Sequence, residues 1–348
     1  MAPMKTITLG KTGLTVSKNG FGALPIQRVS FSEADAILHK AFEGGINFFD
    51  TARFYTDSEE KLGKSFARMR HKVLLATKSM GATREDIEKD FTASLQQLRT
   101  DYVDLYQFHN PKTVPLPGDG TGRYELLAEL KKSGAIRAIG LTNHSLELAR
   151  QAVDSGLYDC IQFPFSLLSS EEEESLVQEC TVNNIGFLAM KALGGGLIQN
   201  IPAAFAHMRQ FAAAVPLWGI QKMTELEEFL ALESTPPAWD ANMREAVATE
   251  KAALGKSFCR GCGYCLPCPV DIEIPNVARM SLLLRRSPWE QYARGGWAEK
   301  MHMAENCIQC GVCAERCPYG LDTPELVHAN IEDYKQFMQD KGVIPGIL

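Results

Sequence analysis

Asp101-Tyr102-Val103-Asp104-Leu105-Tyr106-Gln107-Phe108-His109-Asn110 is an apolar run of strand length, bounded by polar residues. Similar runs occupy residues 20–25, 46–50, 73–77, 136–142, 160–163, 185–190 and 215–219. Between them lie amphipathic stretches, as at 33–43, 84–98, 146–155 and 171–183, whose apolar residues recur at helical spacing. Strands this apolar must be covered on both faces, which is the situation of a parallel sheet. Strands alternating with helices eight times predict an α/β protein, a closed (β/α)8 TIM barrel ringed by helices. A doubly wound open sheet is the alternative. It normally opens on a Gly-rich phosphate turn after the first strand, and Gly20-Phe21-Gly22-Ala23 does not fit that fingerprint.

Before the first unit, Ile7, Leu9, Leu14 and Val16 flank Gly10-Lys11-Thr12-Gly13, which predicts an N-terminal hairpin. Glu171-Glu172-Glu173-Glu174 follows Ser169-Ser170 and reads as a capped helix start, where carboxylates suit the helix dipole. Residues 236–256 read as a bridging helix. The expected domains are therefore a barrel over 1–255 and a small, mostly helical second domain over 256–348.

That second domain is defined by its cysteines. Eight of the ten in the chain fall in two runs: Cys259, Cys262, Cys265, Cys268 and Cys307, Cys310, Cys313, Cys317. Each run ends in Cys-Pro. Three thiolates at i, i+3 and i+6 on a tight loop can grip three corners of one cubane, leaving the fourth for the other cluster. Two [4Fe-4S] clusters with crossed ligands are expected. One is held by Cys259, Cys262, Cys265 and Cys317, the other by Cys307, Cys310, Cys313 and Cys268. The stretch resembles the bacterial two-cluster ferredoxins. Its second run matches their pattern, whereas the first has two residues rather than three before its last cysteine. Zinc ribbons use paired cysteines, and disulfide frameworks suit small secreted domains. Between the runs, Trp289, Tyr292 and Trp297 read as apolar cover for the clusters.

The 348 residues are 45% hydrophobic with a formal net charge of −6. No basic run invites nucleic acid, no apolar window approaches a membrane span, and the start Met1-Ala2-Pro3-Met4-Lys5 has no signal-peptide apolar region. A cytoplasmic protein is expected. Clusters that oxidise easily point to an anaerobic host.

In barrels of this kind, reactive groups sit where strands end. The second run ends in Asp50-Thr51-Ala52-Arg53-Phe54-Tyr55, the third in Thr77-Lys78, the fourth in His109-Asn110. Singly, each has a bland structural reading. An Asp, a Tyr, a Lys and a His on three adjacent strand ends are harder to dismiss. These segments, with Ser58-Glu59-Glu60-Lys61-Leu62-Gly63, resemble the aldo/keto reductase family across residues 5–235. With the tail, the chain is similar to the subgroup fused to a two-cluster ferredoxin-like domain.

The resemblance implies a catalytic tetrad of Asp50, Tyr55, Lys78 and His109 that reduces a small-molecule carbonyl with a nicotinamide hydride, from NADP(H) or NAD(H). In it, Tyr55 gives a proton to the carbonyl oxygen, Lys78 lowers the phenol's pKa, Asp50 holds Lys78 charged and His109 orients the oxygen. The family binds the nicotinamide end through positions matching Thr142, Asn143, Gln162 and Met190. Lys191, Leu193 and Gly194 match where it wraps the cofactor. Gly219, Gln221, Lys222, Glu225 and Glu228 match its adenosine end. The family reading favours NADPH, but Glu225 falls where members often carry Arg or Gln near the ribose 2′-phosphate and Phe229 replaces an Asn, which tilts the reading toward NADH or toward weak binding, while Lys222 nearby could hold the phosphate. The clusters would form a wire whose outer end meets a ferredoxin or another redox protein. The alternatives are an electron-transfer or docking subunit of a larger complex, and clusters that only staple the tail. The loop at 111–122 carries little charge and favours a neutral or aromatic carbonyl.

Overall fold

Apolar strands that need cover on both faces find it by closing on themselves. The computed structural model describes residues 4–254, 258–286, 289–294 and 296–343. Thr6–Thr8 (β1) and Thr15–Ser17 (β2) form the antiparallel hairpin, joined through a 3-10 turn at Gly10–Thr12. The repeating unit then runs Gly20–Gly22 (β3), Phe31–Glu43 (α1), Phe48–Asp50 (β4), Ser58–Phe66 (α2), Leu74–Ser79 (β5), Arg84–Leu98 (α3), Val103–His109 (β6) and Arg123–Ser133 (α4). It continues through Ile136–Thr142 (β7), Leu146–Asp154 (α5), Cys160–Pro164 (β8), Glu171–Val182 (α6), Gly186–Met190 (β9), Ile201–Met208 (α7), Ala214–Gly219 (β10) and Met223–Ser234 (α8). Strands β3 to β10 close into a parallel barrel, β10 pairing with both β9 and β3.

Helix starts follow local chemistry. Ser30 with Glu33, Thr83 with Asp86 and Ser170 with Glu173 each form a reciprocal capping box, so the four-glutamate run is a helix start as expected.

The barrel interior is graded. At its N-terminal end Leu9, Leu14 and Val16 of the hairpin pack on Phe48, Ala76, Leu105, Ala138, Cys160, Leu188 and Val215, so the hairpin plugs that end. Two residues further along β4, β6 and β8 the inward positions become Asp50, Gln107 and Gln162, all buried. Asp104 is also buried, but near the start of β6. There it accepts from Arg70 (2.8 Å), Arg137 (2.8 Å) and the Leu75 amide (2.9 Å), which makes it a structural clamp between strands.

The chain divides into two compact units, Met1–Leu193 with Ile201–Arg244, and Gly194–Asn200 with Glu245–Leu348. The division falls inside Ala241–Leu254 (α9). The second unit holds Ile274–Val277 (α10), Met280–Arg286 (α11), Gly296–Ala304 (α12), Val312–Glu315 (α13) and Thr323–Asp340 (α14). Val327, Ile331, Tyr334 and Met338 form the buried stripe of α14. Trp289 packs on Phe337 of α14 at 5.9 Å between rings, and Tyr292 meets Trp297 edge-on while its carbonyl accepts from the Tyr334 hydroxyl. These aromatics thus have packing partners within the helical core, a role the expectation of cluster cover did not include.

Close helix packing makes one glycine indispensable. A Cβ on Gly63 of α2 would stand 2.1 Å from the Gln97 carbonyl oxygen of α3, a backbone atom that cannot rotate away. Gly63→Ala is expected to destabilise the barrel by about 1–3 kcal/mol. Denaturant unfolding checks this, and an unchanged midpoint would refute the close approach.

Candidate active site and iron–sulfur ligands

Four strand ends converge at the C-terminal mouth of the barrel. Register places Lys78 beside Gln107, Gln107 beside Gly140, His109 beside Thr142 and Thr142 beside Gln162. Lys78 Nζ donates to Asp50 Oδ2 at 2.7 Å and to the Thr51 carbonyl at 2.6 Å. Both partners of this ion pair are buried. Burial pushes the Asp50 carboxyl up and the Lys78 ammonium down, and their contact pulls each back toward its charged form.

Tyr55 stands above the pair, its ring centroid 5.5 Å from Lys78 Nζ, and meets the His109 ring edge-on at 5.9 Å. The expectation that Lys78 lowers the phenol's pKa is not what this geometry gives. Burial, and then the Asp50 charge, push Tyr55 upward. Burial and the Asp50 charge outweigh whatever pull the Lys78 ammonium has on the phenol. The phenol is thus held as a proton donor.

His109 goes the other way. Burial first, then the Lys78 charge, lower it to about 3, so its imidazole is neutral at ordinary pH. A neutral imidazole can still donate one N–H to a carbonyl oxygen.

The nicotinamide-end candidates lie around the same mouth. Thr142 Oγ1 is 3.6 Å from Met190 Sδ, and the Asn143 side chain donates to the Pro111 carbonyl at 2.9 Å while accepting from the Ser145 amide. Gln162 donates to Asp50 Oδ2 at 3.2 Å and accepts from Gln107 at 2.9 Å. Its amide is therefore engaged with the ion pair. Lys191, with φ 57°, and Leu193 follow β9. Gly194 instead opens the short segment assigned to the second unit, where the Gln199 amide donates to Glu250 of α9.

The adenosine-end candidates gather at the start of α8. Gly219 ends β10, and one oxygen of Glu225 accepts from the backbone amides of Gln221 (2.9 Å) and Lys222 (3.1 Å). The carboxylate thus sits where an anion would be held by those amides. Lys222 and Glu228 are exposed. Phe229 is a core residue, stacked on Trp218 at 4.6 Å, which gives a packing reason for an aromatic ring there.

In the second unit the two cysteine runs come together. Cys259 lies within electrostatic reach of Cys262 and Cys317, Cys265 of Cys259, Cys262 and Cys313, and Cys313 of Cys307 and Cys310. Cys265 and Cys268 line one cavity with Cys307, Cys310 and Cys313. Gly261, Gly263 and Gly311 have positive φ at the turns of the two runs. Among the described residues no three such side chains converge as around a single ion. A cubane, whose ligands occupy separate corners, does not ask them to. The donor set fits two cubanes.

Two buried residues escaped the sequence reading. Glu59 of α2 accepts from Thr77 of β5 at 2.6 Å and pairs with Arg53. Gln107 is the other, and its signal was available: an amide midway along an otherwise apolar run.

A parallel barrel with an Asp–Tyr–Lys–His cluster at its mouth defines an oxidoreductase class, and comparison with known proteins agrees. Residues 13–232 match the aldo/keto reductase family and residues 258–322 match a 4Fe-4S dicluster domain. The chain belongs to the aldo/keto reductase family and carries a C-terminal 4Fe-4S dicluster domain. It is 32% identical over 214 residues to the aldo-keto reductase YhdN of Bacillus subtilis, covering 56% of this chain and 64% of that one. It is 29% identical over 225 residues to the NADH-specific methylglyoxal reductase of Escherichia coli, covering 56% and 69%. The chain thus spans a little under two thirds of YhdN's length. The solved holo form of aldo-keto reductase AKR11C1 from Bacillus halodurans shares the fold, with a TM-score of 0.61 and 20% identity, over 71% of this chain and 96% of that one.

Two outcomes follow. Protein purified without air is expected to hold about eight iron and eight sulfide per chain; zinc in their place would overturn the ligand assignment. Turnover is expected to show no acid limb at the ordinary histidine value of 6.5, since His109 is already neutral there. A limb near that value that disappears in His109→Asn would contradict the burial argument.

Proposed function

We propose that the barrel reduces the carbonyl of a small apolar molecule with a nicotinamide hydride, and that its two cluster sites link this chemistry to a one-electron carrier such as a ferredoxin. The observation that carries the reading is the buried Lys78–Asp50 pair beneath a protonated Tyr55 and a neutral His109. When bound, reduced nicotinamide supplies the hydride and the clusters supply one-electron steps.

The chain's own residues do the rest. As the carbonyl carbon accepts the hydride, negative charge builds on its oxygen. His109 donates a hydrogen bond to that oxygen, and Tyr55 transfers its proton to it, giving an alcohol. The phenolate left behind is stabilised by the Lys78 charge until water returns a proton. Asp50 keeps Lys78 charged and aimed.

Four exposed apolar side chains, Leu24, Phe54, Met80 and Leu116, follow β3, β4, β5 and β6. Phe54 is 72% exposed. An apolar rim of this kind suits a neutral or aromatic carbonyl, as does the weakly charged 111–122 loop.

Glu225 favours NADH. Its carboxylate already occupies the amides of Gln221 and Lys222, so a ribose 2′-phosphate meets a like charge there, whereas a free 2′-hydroxyl can donate to it. The E. coli relative is named as NADH-specific, which agrees with this direction.

Tyr55→Phe is expected to lower carbonyl reduction by more than about 100-fold with nucleotide affinity unchanged. Steady-state assays on a carbonyl panel under anoxia, with a fluorescence titration of nucleotide, decide it; normal turnover would remove Tyr55 as proton donor. Glu225→Gln is expected to raise NADPH affinity relative to NADH about tenfold, and Lys222→Ala to lower it. The same titration reads the ratio, and no change in either variant would place the 2′ position elsewhere.

A further inference from the structure

Gln107 is fully buried inside the barrel, on the inward face of β6 shared by Leu105 and His109. Its Nε2 carries two hydrogens. One goes to Gln162 Oε1 at 2.9 Å, the other toward Asp50 Oδ1 at 3.4 Å. Gln162 Nε2 donates to Asp50 Oδ2 at 3.2 Å. The three side chains close a ring of donors on both carboxylate oxygens, with Lys78 on Oδ2 as well.

One observation indicates that this amide is not present for packing. Its Oε1 is buried without a hydrogen-bond partner, a cost of about 1–3 kcal/mol that a leucine here would avoid. Space has also been made for it. On the adjacent strand a Cβ at Gly140 would lie 2.8 Å from Gln107 Cγ and 3.1 Å from its Oε1. The same Cβ would lie 3.1 Å from Leu105 Cδ1, so the gap serves the apolar layer as well as the amide.

The orientation of the ring is self-determining. Turning the Gln107 amide over would set its oxygen against Gln162 Oε1 and Asp50 Oδ1, acceptor against acceptor. Turning Gln162 over would do the same at Asp50 Oδ2. Asp50 and Gln107 together thus hold Gln162 with its nitrogen toward the carboxylate, and Gln107 does so by occupying the Gln162 oxygen.

We propose that Gln107 is a positioning residue for carbonyl reduction: through its bonds to Gln162 and Asp50 it keeps the Asp50 carboxylate ionised and aimed at Lys78. This rests on the reading of Asp50, Tyr55, Lys78 and His109 as the reductase site. The groups facing Asp50 are Lys78 on β5, Tyr55 after β4, Gln107 on β6, and Gln162 and Cys160 on β8; Lys78 also feels Glu59 and His109. Of these, only Lys78 and the two glutamines favour the charged carboxylate. Losing the Gln107 donor, and the orientation it helps impose on Gln162, therefore makes Asp50 easier to protonate, so an uncharged Asp50 should accumulate at higher pH.

The test uses holoenzyme prepared without air, with 4-nitrobenzaldehyde and NADH, across a pH series. Gln107→Leu, close in volume, is expected to lower kcat at least about tenfold, as for loss of one hydrogen bond to a charged group. KM for the aldehyde should stay within about twofold, and the acid limb of kcat should move to higher pH. Gly140→Ala, which displaces Gln107 without altering it, should shift the limb in the same direction. In an Asp50→Asn background, Gln107→Leu should add no further loss, because the carboxylate it serves is gone. Thermal unfolding of each variant identifies any loss due to misfolding. An unmoved pH limb in folded Gln107→Leu, or full additivity with Asp50→Asn, overturns the proposal while leaving the reductase reading intact. Absence of wild-type turnover overturns that reading, and this inference falls with it.

Discussion

A carboxylate and an ammonium 2.7 Å apart, both sealed from water, are the constraint around which the barrel's upper half is built. Burying such charges costs several kcal/mol per ion unless geometry and further hydrogen bonds compensate. The compensation is visible in the neighbours. The Thr51 carbonyl takes a second Lys78 hydrogen, and the Gln162 and Gln107 amides supply donors to Asp50. The same dry surroundings that make the pair costly hold Tyr55 protonated and His109 neutral. One burial event thus sets both protonation states.

The interior can carry this polar layer because the other end is fully apolar. The hairpin residues Leu9, Leu14 and Val16 close the N-terminal end, and the strand residues packed on them are apolar until the level of Asp50. Polarity rises within two residues along each of β4, β6 and β8. Asp104 shows how strongly position decides role. It too is a buried aspartate on a barrel strand, but near the opposite end, where two arginines and a backbone amide turn it into a clamp.

The cysteine unit solves a different problem. With few long helices and a small core, its two loops depend on α14 and on paired aromatics for shape. Tyr334 ties the Tyr292 carbonyl, Asn330 ties the Ser281 amide, and Arg285 pairs with Asp333. Around that frame the two runs come together, with Cys259 near Cys317 and Cys265 near Cys313.

Much of this was legible in the linear chain. Strand identity, barrel closure, the hairpin, the capping boxes and the two cysteine runs are statements about periodicity, composition and spacing, which are local or nearly so. The acidic tetrad member, the tyrosine, the lysine and the histidine were visible because strand ends are where such a barrel keeps its chemistry. What the chain could not declare was which partners each group would meet. That Gln162 faces Asp50 and Gln107, that Phe229 stacks on Trp218, and that Glu225 caps its own helix depend on strand register and helix approach, set by residues more than fifty positions apart in the first case. The sign of the Tyr55 shift was decided the same way: burial and the Asp50 charge outweigh the neighbouring lysine, and burial exists only once the barrel has closed.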